Sequence, residues 1–313
     1  MSATTGKITP ETIDTRGGLA ALERREVPGV QPSLEWSLEY EEGDDDVIVS
    51  GFFDAMATRP ALEYTWPGWE RPVSRFPMAY SDVSLISATF TIPREQARAL
   101  VPQSRRLKLV RLTPRRVPIT VFAFDYRKGG LGRYHEVGVA LPLVLDRPAP
   151  PLLPALAETL RPASWPGFGM HAVELPVDEE RACEAGIRLY GLPKVVGEAS
   201  FEIGPRSGRA SLSYEGRKMA DLEVALGGRV GAPKRLRLPF TTLTVLDGRV
   251  IETRYETVAE GYLHRSGDAR FTPGDHPRFA RFRQLEFSER PIEVRVIQRL
   301  NWIIWGPLDR GPT

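Results

Sequence analysis

A chain of 313 residues can bury a sizeable core and has room for one large domain or two. Hydrophobic residues at 42% and charged residues at 26% are ordinary for a globular protein, and a net charge of +2 gives no field that would steer nucleic acid or anionic lipid. The single cysteine, Cys183, excludes an internal disulfide and fits a reducing compartment.

From the N-terminus, Met1 to Gly18 is polar with no apolar h-region, and no long apolar run follows, so neither a signal peptide nor a membrane span is expected. The expected location is the cytoplasm. Residues 1–65 read as an N-terminal extension that includes the acidic run Glu41 to Asp46; it is expected to wrap the core or make oligomer contacts, with a lid over an active site as the sharper alternative. Residues 51–57 predict a short amphipathic helix, and Trp66 to Trp69 a turn carrying two large anchors.

Residues 66–313 read as one β domain. Val83 to Ile92 predicts a strand, Pro93 to Leu100 a helix with proline in its first turn, and Val117 to Phe124 and Gly138 to Leu145 two further strands. Residues 148–166 hold six prolines and predict a long loop. Asp178 to Ala185 predicts a short helix capped by Asp178. Short strands bounded by glycine or proline follow at 199–203, 209–214, 222–226 and 243–246. His276 to Arg283 reads as a solvated amphipathic helix, its cations balanced by Asp275, Glu286 and Glu289, and not as a nucleic-acid patch. Many short strands with few helices argue for a mainly β (α+β) architecture with a largely antiparallel sheet.

The chemistry points to one residue. Only six of the 42 cations are lysine, so arginine is this chain's default, yet Lys194 lies among Leu192, Pro193, Val195 and Val196. Arginine keeps its proton in proteins, whereas a buried lysine can lose it and act as a nucleophilic amine. The plainer alternative is a strand-end lysine whose ammonium reaches water along an apolar stem. Other chemistries lack their patterns. His135, His171, His264 and His276 have no metal-ligand spacing with each other or with Cys183, and no phosphate-binding glycine loop or serine nucleophile elbow occurs, so no metal or cofactor is expected.

Four segments together resemble the acetoacetate decarboxylase family: Tyr190-Gly-Leu-Pro-Lys194, Gly132-Arg-Tyr-His-Glu136, Arg98-Ala-Leu-Val-Pro102 and Ile292 to Ile297. The resemblance implies a strongly curved, cone- or barrel-like sheet with the reactive lysine inside and a few flanking helices. It implies Lys194 as the Schiff-base lysine and Glu136 as the catalytic carboxylate, with a Glu136 pairing to Arg133 or Lys128 as the plain alternative. Arg188 and Tyr190 are the candidate substrate-binding residues near them, Arg188 otherwise serving in a surface ion pair and Tyr190 in core packing. His135 should point away from the pocket if the segment is extended.

The chain also departs from that family. Where the family often has a second lysine stands Val195, and ungapped matching puts Val83 and Val121 where it has an arginine and a second acidic residue. Val83 and Val121 therefore read as substrate-binding positions of a rebuilt, more apolar pocket. The implied activity is a cofactor-free lyase acting on a small oxo acid or carbonyl compound, by decarboxylation or by aldol and dehydration chemistry, and not on acetoacetate itself. The alternative is a scaffold that binds an apolar ligand without turnover. The resemblance also implies a homo-oligomer, to which Asn301 to Trp305 contributes if it is not core; no nucleic acid or membrane partner is expected.

Overall fold

A computed structural model describes residues 15–16, 18–27, 61–65, 74–148, 166–227, 234–237, 240–264 and 267–313. The acidic run, the helix expected over 51–57, the Trp66–Trp69 turn and nearly all of the proline-rich segment lie outside them. Strands β1 (Glu23–Val27), β2 (Ala61–Thr65) and β3 (Ser74–Phe76) pair in that order as a small antiparallel sheet. This sheet joins chain from both sides of residue 65. The chain then runs through β4 (Met78–Pro93), α1 (Arg94–Arg98), β5 (Leu107–Leu109), β6 (Arg116–Gly129), β7 (Tyr134–Leu145) and β8 (Phe168–Glu174). Helix α2 (Glu180–Tyr190) leads to a meander of β9 (Glu198–Ile203), β10 (Ser207–Tyr214) and β11 (Arg217–Leu226). Next come β12 (Lys234–Arg237), β13 (Phe240–Leu246), β14 (Arg249–His264), β15 (Gly267–Pro273), the one-turn α3 (Pro277–Ala280), β16 (Glu293–Ile304) and β17 (Leu308–Pro312).

Seven strands close into a mixed barrel in the order β14, β13, β8, β7, β6, β4, β16, with β16 pairing back onto β14. The β8–β13 junction is parallel and the others are antiparallel. A parallel pair needs a crossover, and here it is the excursion through α2 and β9–β11. A second sheet, β15-β11-β10-β9, covers one outer face of the barrel. Ile86, Ala88, Val121, Ala123 and Val139 of the barrel pack there against Ala210, Leu212, Leu222 and Val224. Strands β4, β6 and β7 are thus buried on both faces, which is why their apolar pattern alternates imperfectly.

Several expectations change in detail. Helix α2 is capped by Glu179, whose carboxylate accepts the Ala182 N–H at 2.7 Å; Asp178 is engaged elsewhere. The 276–283 segment is not simply solvated, because Phe279 and Phe282 are fully buried in the second-sheet core. Asn301 to Ile304 are core residues. Among the described residues no helix is long and apolar enough to cross a membrane.

Candidate active site

Helix α2 buries one face, including Ala182, Ala185, Gly186 and Leu189, and ends at Gly191, whose φ of +61° is the left-handed conformation that glycine adopts without cost. Pro193 two residues later stops the helix for good. The following segment is zipped onto the chain leaving β8: Val177 N–H bonds to Val195 O at 3.0 Å and Gly197 N–H to Val177 O at 2.7 Å. Val177 bridges Val196 on one side and Glu136 of β7 on the other. That three-way pairing sets the lysine segment and Glu136 side by side, although 58 residues separate them in sequence.

The Lys194 ammonium nitrogen Nζ lies 2.6 Å from Glu136 Oε2, both residues being buried. The stem of Lys194 lies against Gly186: a Cβ there would sit 2.5 Å from Lys194 Cδ and 2.7 Å from Cε. The Tyr126 hydroxyl donates to Glu136 Oε1 at 3.4 Å, and Nζ lies 5.8 Å from the centre of the Tyr134 ring. Arg278 braces the segment from behind, bonding to Pro193 O at 3.3 Å and to Glu174 at 2.9 Å.

Lys194 and Glu136 open onto a cavity of about 480 Å³ inside the barrel. Its aromatic part is built from Tyr80, Phe124, Tyr126, Tyr134, Tyr190, Phe240, Tyr255 and Trp302, and another part carries Ser87, Thr89, Thr120, Glu293 and Arg295. Burial raises the pKa of Tyr80, Tyr126, Tyr134, Tyr190 and Tyr255, so these phenols stay neutral and serve as hydrogen-bonding hydroxyls. Burial likewise pushes the Cys183 thiol up to about 12, against the opposing charge of Lys194, which leaves it a poor nucleophile.

The structure brings Lys194, Glu136 and Tyr190 to one cavity and leaves the other three candidates outside it. Arg188 lies elsewhere on α2 and pairs with Glu184 at 2.9 Å. Val121 faces out of the barrel into the second-sheet core. Val83 is fully buried in the interior cluster with Tyr80 and Leu85, paired with Tyr126 and Leu300, but does not itself line the cavity. Asp82 beside it has a φ of +55°, and the pairing of β4 with β16 shifts register between Ile297 and Trp302. His135 points away as expected, held by Asp178. Sequence reasoning missed Arg295 and Trp302, which strand parity would set on opposite faces and which both reach the cavity because the pairing of β16 shifts register between them, and Gly186, whose contact is tertiary.

A closed β-barrel that encloses a buried lysine–carboxylate pair in an aromatic cavity defines a class of protein that handles small molecules in its interior. The family model for acetoacetate decarboxylase matches residues 62–276, more than half of the chain, and the chain belongs to that family. Its fold is similar to that of a solved acetoacetate decarboxylase (17% identity, TM-score 0.56, covering 77% of this chain and 92% of the other). It is also similar to an acetoacetate decarboxylase-like enzyme from Sphingomonas wittichii (12%, 0.53, 78% and 97%). A third similar structure is the enduracididine biosynthesis enzyme MppR, complexed with the condensation product of pyruvate and imidazole 4-carboxaldehyde (14%, 0.51, 79% and 94%). No curated protein matches the sequence.

Proposed function

We propose that the protein is a lyase in which Lys194 forms a Schiff base with an oxo acid or other small carbonyl compound. The observation that carries this reading is the 2.6 Å contact of Lys194 Nζ with Glu136 at the wall of the barrel cavity. The amine attacks the carbonyl carbon and water leaves, giving an iminium. In a decarboxylation of a 3-oxo acid, the bond to the carboxylate breaks, its electron pair flows into the iminium and CO2 departs, and the enamine left behind takes a proton at carbon from Glu136 to become an iminium again. In a condensation, Glu136 instead removes the neighbouring C–H proton, and the enamine attacks a second carbonyl before water is lost. Water then hydrolyses the iminium and frees the amine. The condensation product bound to MppR supports the second route. The mostly apolar lining supports a substrate larger than acetoacetate.

Incubation with pyruvate and other oxo acids under borohydride, followed by intact-mass spectrometry, tests the reading. A stable adduct on the wild-type chain that is missing from Lys194→Ala is expected, and its mass tells whether CO2 has left. The absence of any adduct, or an adduct that persists in Lys194→Ala, sinks the proposal in favour of a non-covalent binder. Glu136→Gln should still form the adduct but lose turnover by roughly 10²–10⁴-fold, the contribution of a positioned acid–base group.

A further inference from the structure

The charges that line the cavity come in two pairs. Among its described lining residues only Lys194, Glu136, Arg295 and Glu293 are charged, each cation beside a carboxylate. Glu293 Oε1 accepts from Arg295 Nε at 2.6 Å and lies 2.6 Å from Nη2. Val294 and Val296 are buried in the second-sheet core, so strand alternation turns Glu293 and Arg295 inward. The Arg295 side chain keeps 22% of its surface exposed where it lines the cavity. Cross-strand pairing extends this polar wall: Arg295 lies opposite Ser87, Glu293 opposite Thr89, and Thr89 opposite Thr120, with the two threonine hydroxyls 2.9 Å apart. An ion pair inside a barrel forfeits hydration that apolar side chains would not need, so its place there asks for a function. The register also sets its distance from the reactive pair. Glu136, Phe124, Leu85 and Ile297 are successive partners across β7, β6, β4 and β16, and Arg295 lies two residues from Ile297 on the same face. Three strand spacings of about 4.8 Å and one two-residue step of about 6.8 Å put the Cα atoms of Glu136 and Arg295 about 16 Å apart along the wall. The straight line through the barrel is shorter and both side chains project into it, so a substrate chain of moderate length reaches from one pair to the other.

We propose that Glu293 and Arg295 form a far subsite that receives an uncharged group able both to donate and to accept, a carboxamide at the end of the chain whose ketone reacts at Lys194. A distal carboxylate would meet Glu293 with no surplus cation in the cavity, and a distal ammonium would meet Arg295 with no surplus anion. An ionised carboxylate only accepts and a guanidinium only donates, so one group that does both matches the pair. A carboxamide offers N–H donors to Glu293 and a carbonyl oxygen to Arg295, with the hydroxyls of Ser87 and Thr89 on the neighbouring strand. An alkyl end of the same shape would strip water from the ion pair and return no hydrogen bond. The subsite names the substrate class of the Lys194 site and rests on that reading for its chemistry, though not for its binding.

The test is borohydride trapping of 6-oxoheptanamide, 6-oxoheptanoate and 7-methyloctan-2-one by the full chain. These methyl ketones match in length and in the surroundings of the reacting carbon, and differ only at the far end. Read as trapping efficiency at subsaturating ketone, the amide should lead the other two by roughly tenfold, the effect of one to two hydrogen bonds. Glu293→Gln leaves Arg295 as a surplus cation and should reverse the order of amide and acid. Equal efficiencies for the three ketones, a lead for the acid or the alkyl ketone in the wild type, or an amide lead unchanged in Glu293→Gln overturns the proposal and leaves the ion pair as a structural part of the wall. The wild-type comparison decides the matter even where Glu293→Gln does not fold. Calorimetric binding of heptanamide and heptanoate, which have no ketone, keeps the readings apart. A preference for heptanamide without any ketone adduct sinks the Schiff base alone, and a ketone adduct without an amide preference sinks the subsite alone.

Discussion

Gly186 is the residue on which the geometry of Lys194 turns. A methyl group there would occupy the space of Lys194 Cδ and Cε, within 2.7 Å of both. Gly186→Ala should therefore push the stem aside and pull Nζ off Glu136, slowing borohydride-trapped adduct formation by about 10²-fold, the cost of misplacing a reacting group by an ångström or so. Alanine is the better helix former by about 1 kcal/mol, so circular dichroism should show α2 intact; an unchanged trapping rate would refute the role. Lys194 and Glu136 were legible in the sequence, the first because lysine is scarce in an arginine-rich chain, the second through its motif. Gly186 stood in the same motif without a visible reason, because its partner is a side chain that returns to it only after the helix has ended. Arg188 misled for the converse reason: two residues on from Gly186 it is turned by about 200°, away from the cavity.

Helix α2 shows why elements are easier to read than their ends. A helix was expected from Asp178, yet it begins one residue later on the Glu179 cap, because the Asp178 carboxylate is committed to His135, bonding its ring Nδ1 and its backbone N–H at 2.6 Å each. That commitment ties β7, beside Glu136, to the entry of α2. His135 faces Asp178 and, at 3.4 Å, Asp125, with Arg133 opposing at longer range, and the Asp178 hydrogen bond raises its pKa above the ordinary value. A raised folded pKa means that the clasp contributes fully below the unfolded histidine value of about 6.5 and is lost as pH rises through the higher folded one. The stability gap between wild type and His135→Gln should thus be largest near pH 5 and shrink toward pH 9 in thermal unfolding. With His135 about half-buried, a gap of about 1 kcal/mol is expected, the strength of a charge-assisted bond after solvent screening. A gap that stays constant across this range would assign the clasp to neutral hydrogen bonding.

At the scale of the molecule, the sequence revealed strands but not closure. Turn residues and β-branched runs marked β4, β6 and β7, yet nothing local announces that β16 closes on β14 or that β8 meets β13 in parallel, since both pairings join segments far apart in the chain. The same holds for the tie between barrel wall and active-site segment, where buried Glu174 of β8 receives Arg278 at 2.9 Å and Arg281 at 2.6 Å. Those arginines come from the 276–283 stretch, which looked like a solvated face because its sequence neighbours balance its charge. Their real partner lies about a hundred residues upstream. Arg278 also holds the Pro193 carbonyl, one residue before Lys194, so the tie links global stability to the placement of the Lys194 side chain. Arg278→Met should leave Glu174 with Arg281 and the Pro193 carbonyl without this donor, costing about 1–3 kcal/mol for a charged hydrogen-bond partner removed from a largely buried site. The trapping rate should fall as well, measured well below the variant's melting temperature so that unfolding does not contribute. Arg281→Met removes the more exposed arginine, which makes no contact with Pro193, and should lower stability less while leaving the trapping rate unchanged. Equal trapping rates in the two variants would show that Glu174 anchors the barrel wall only, and that the Val177 bridges suffice to place Lys194.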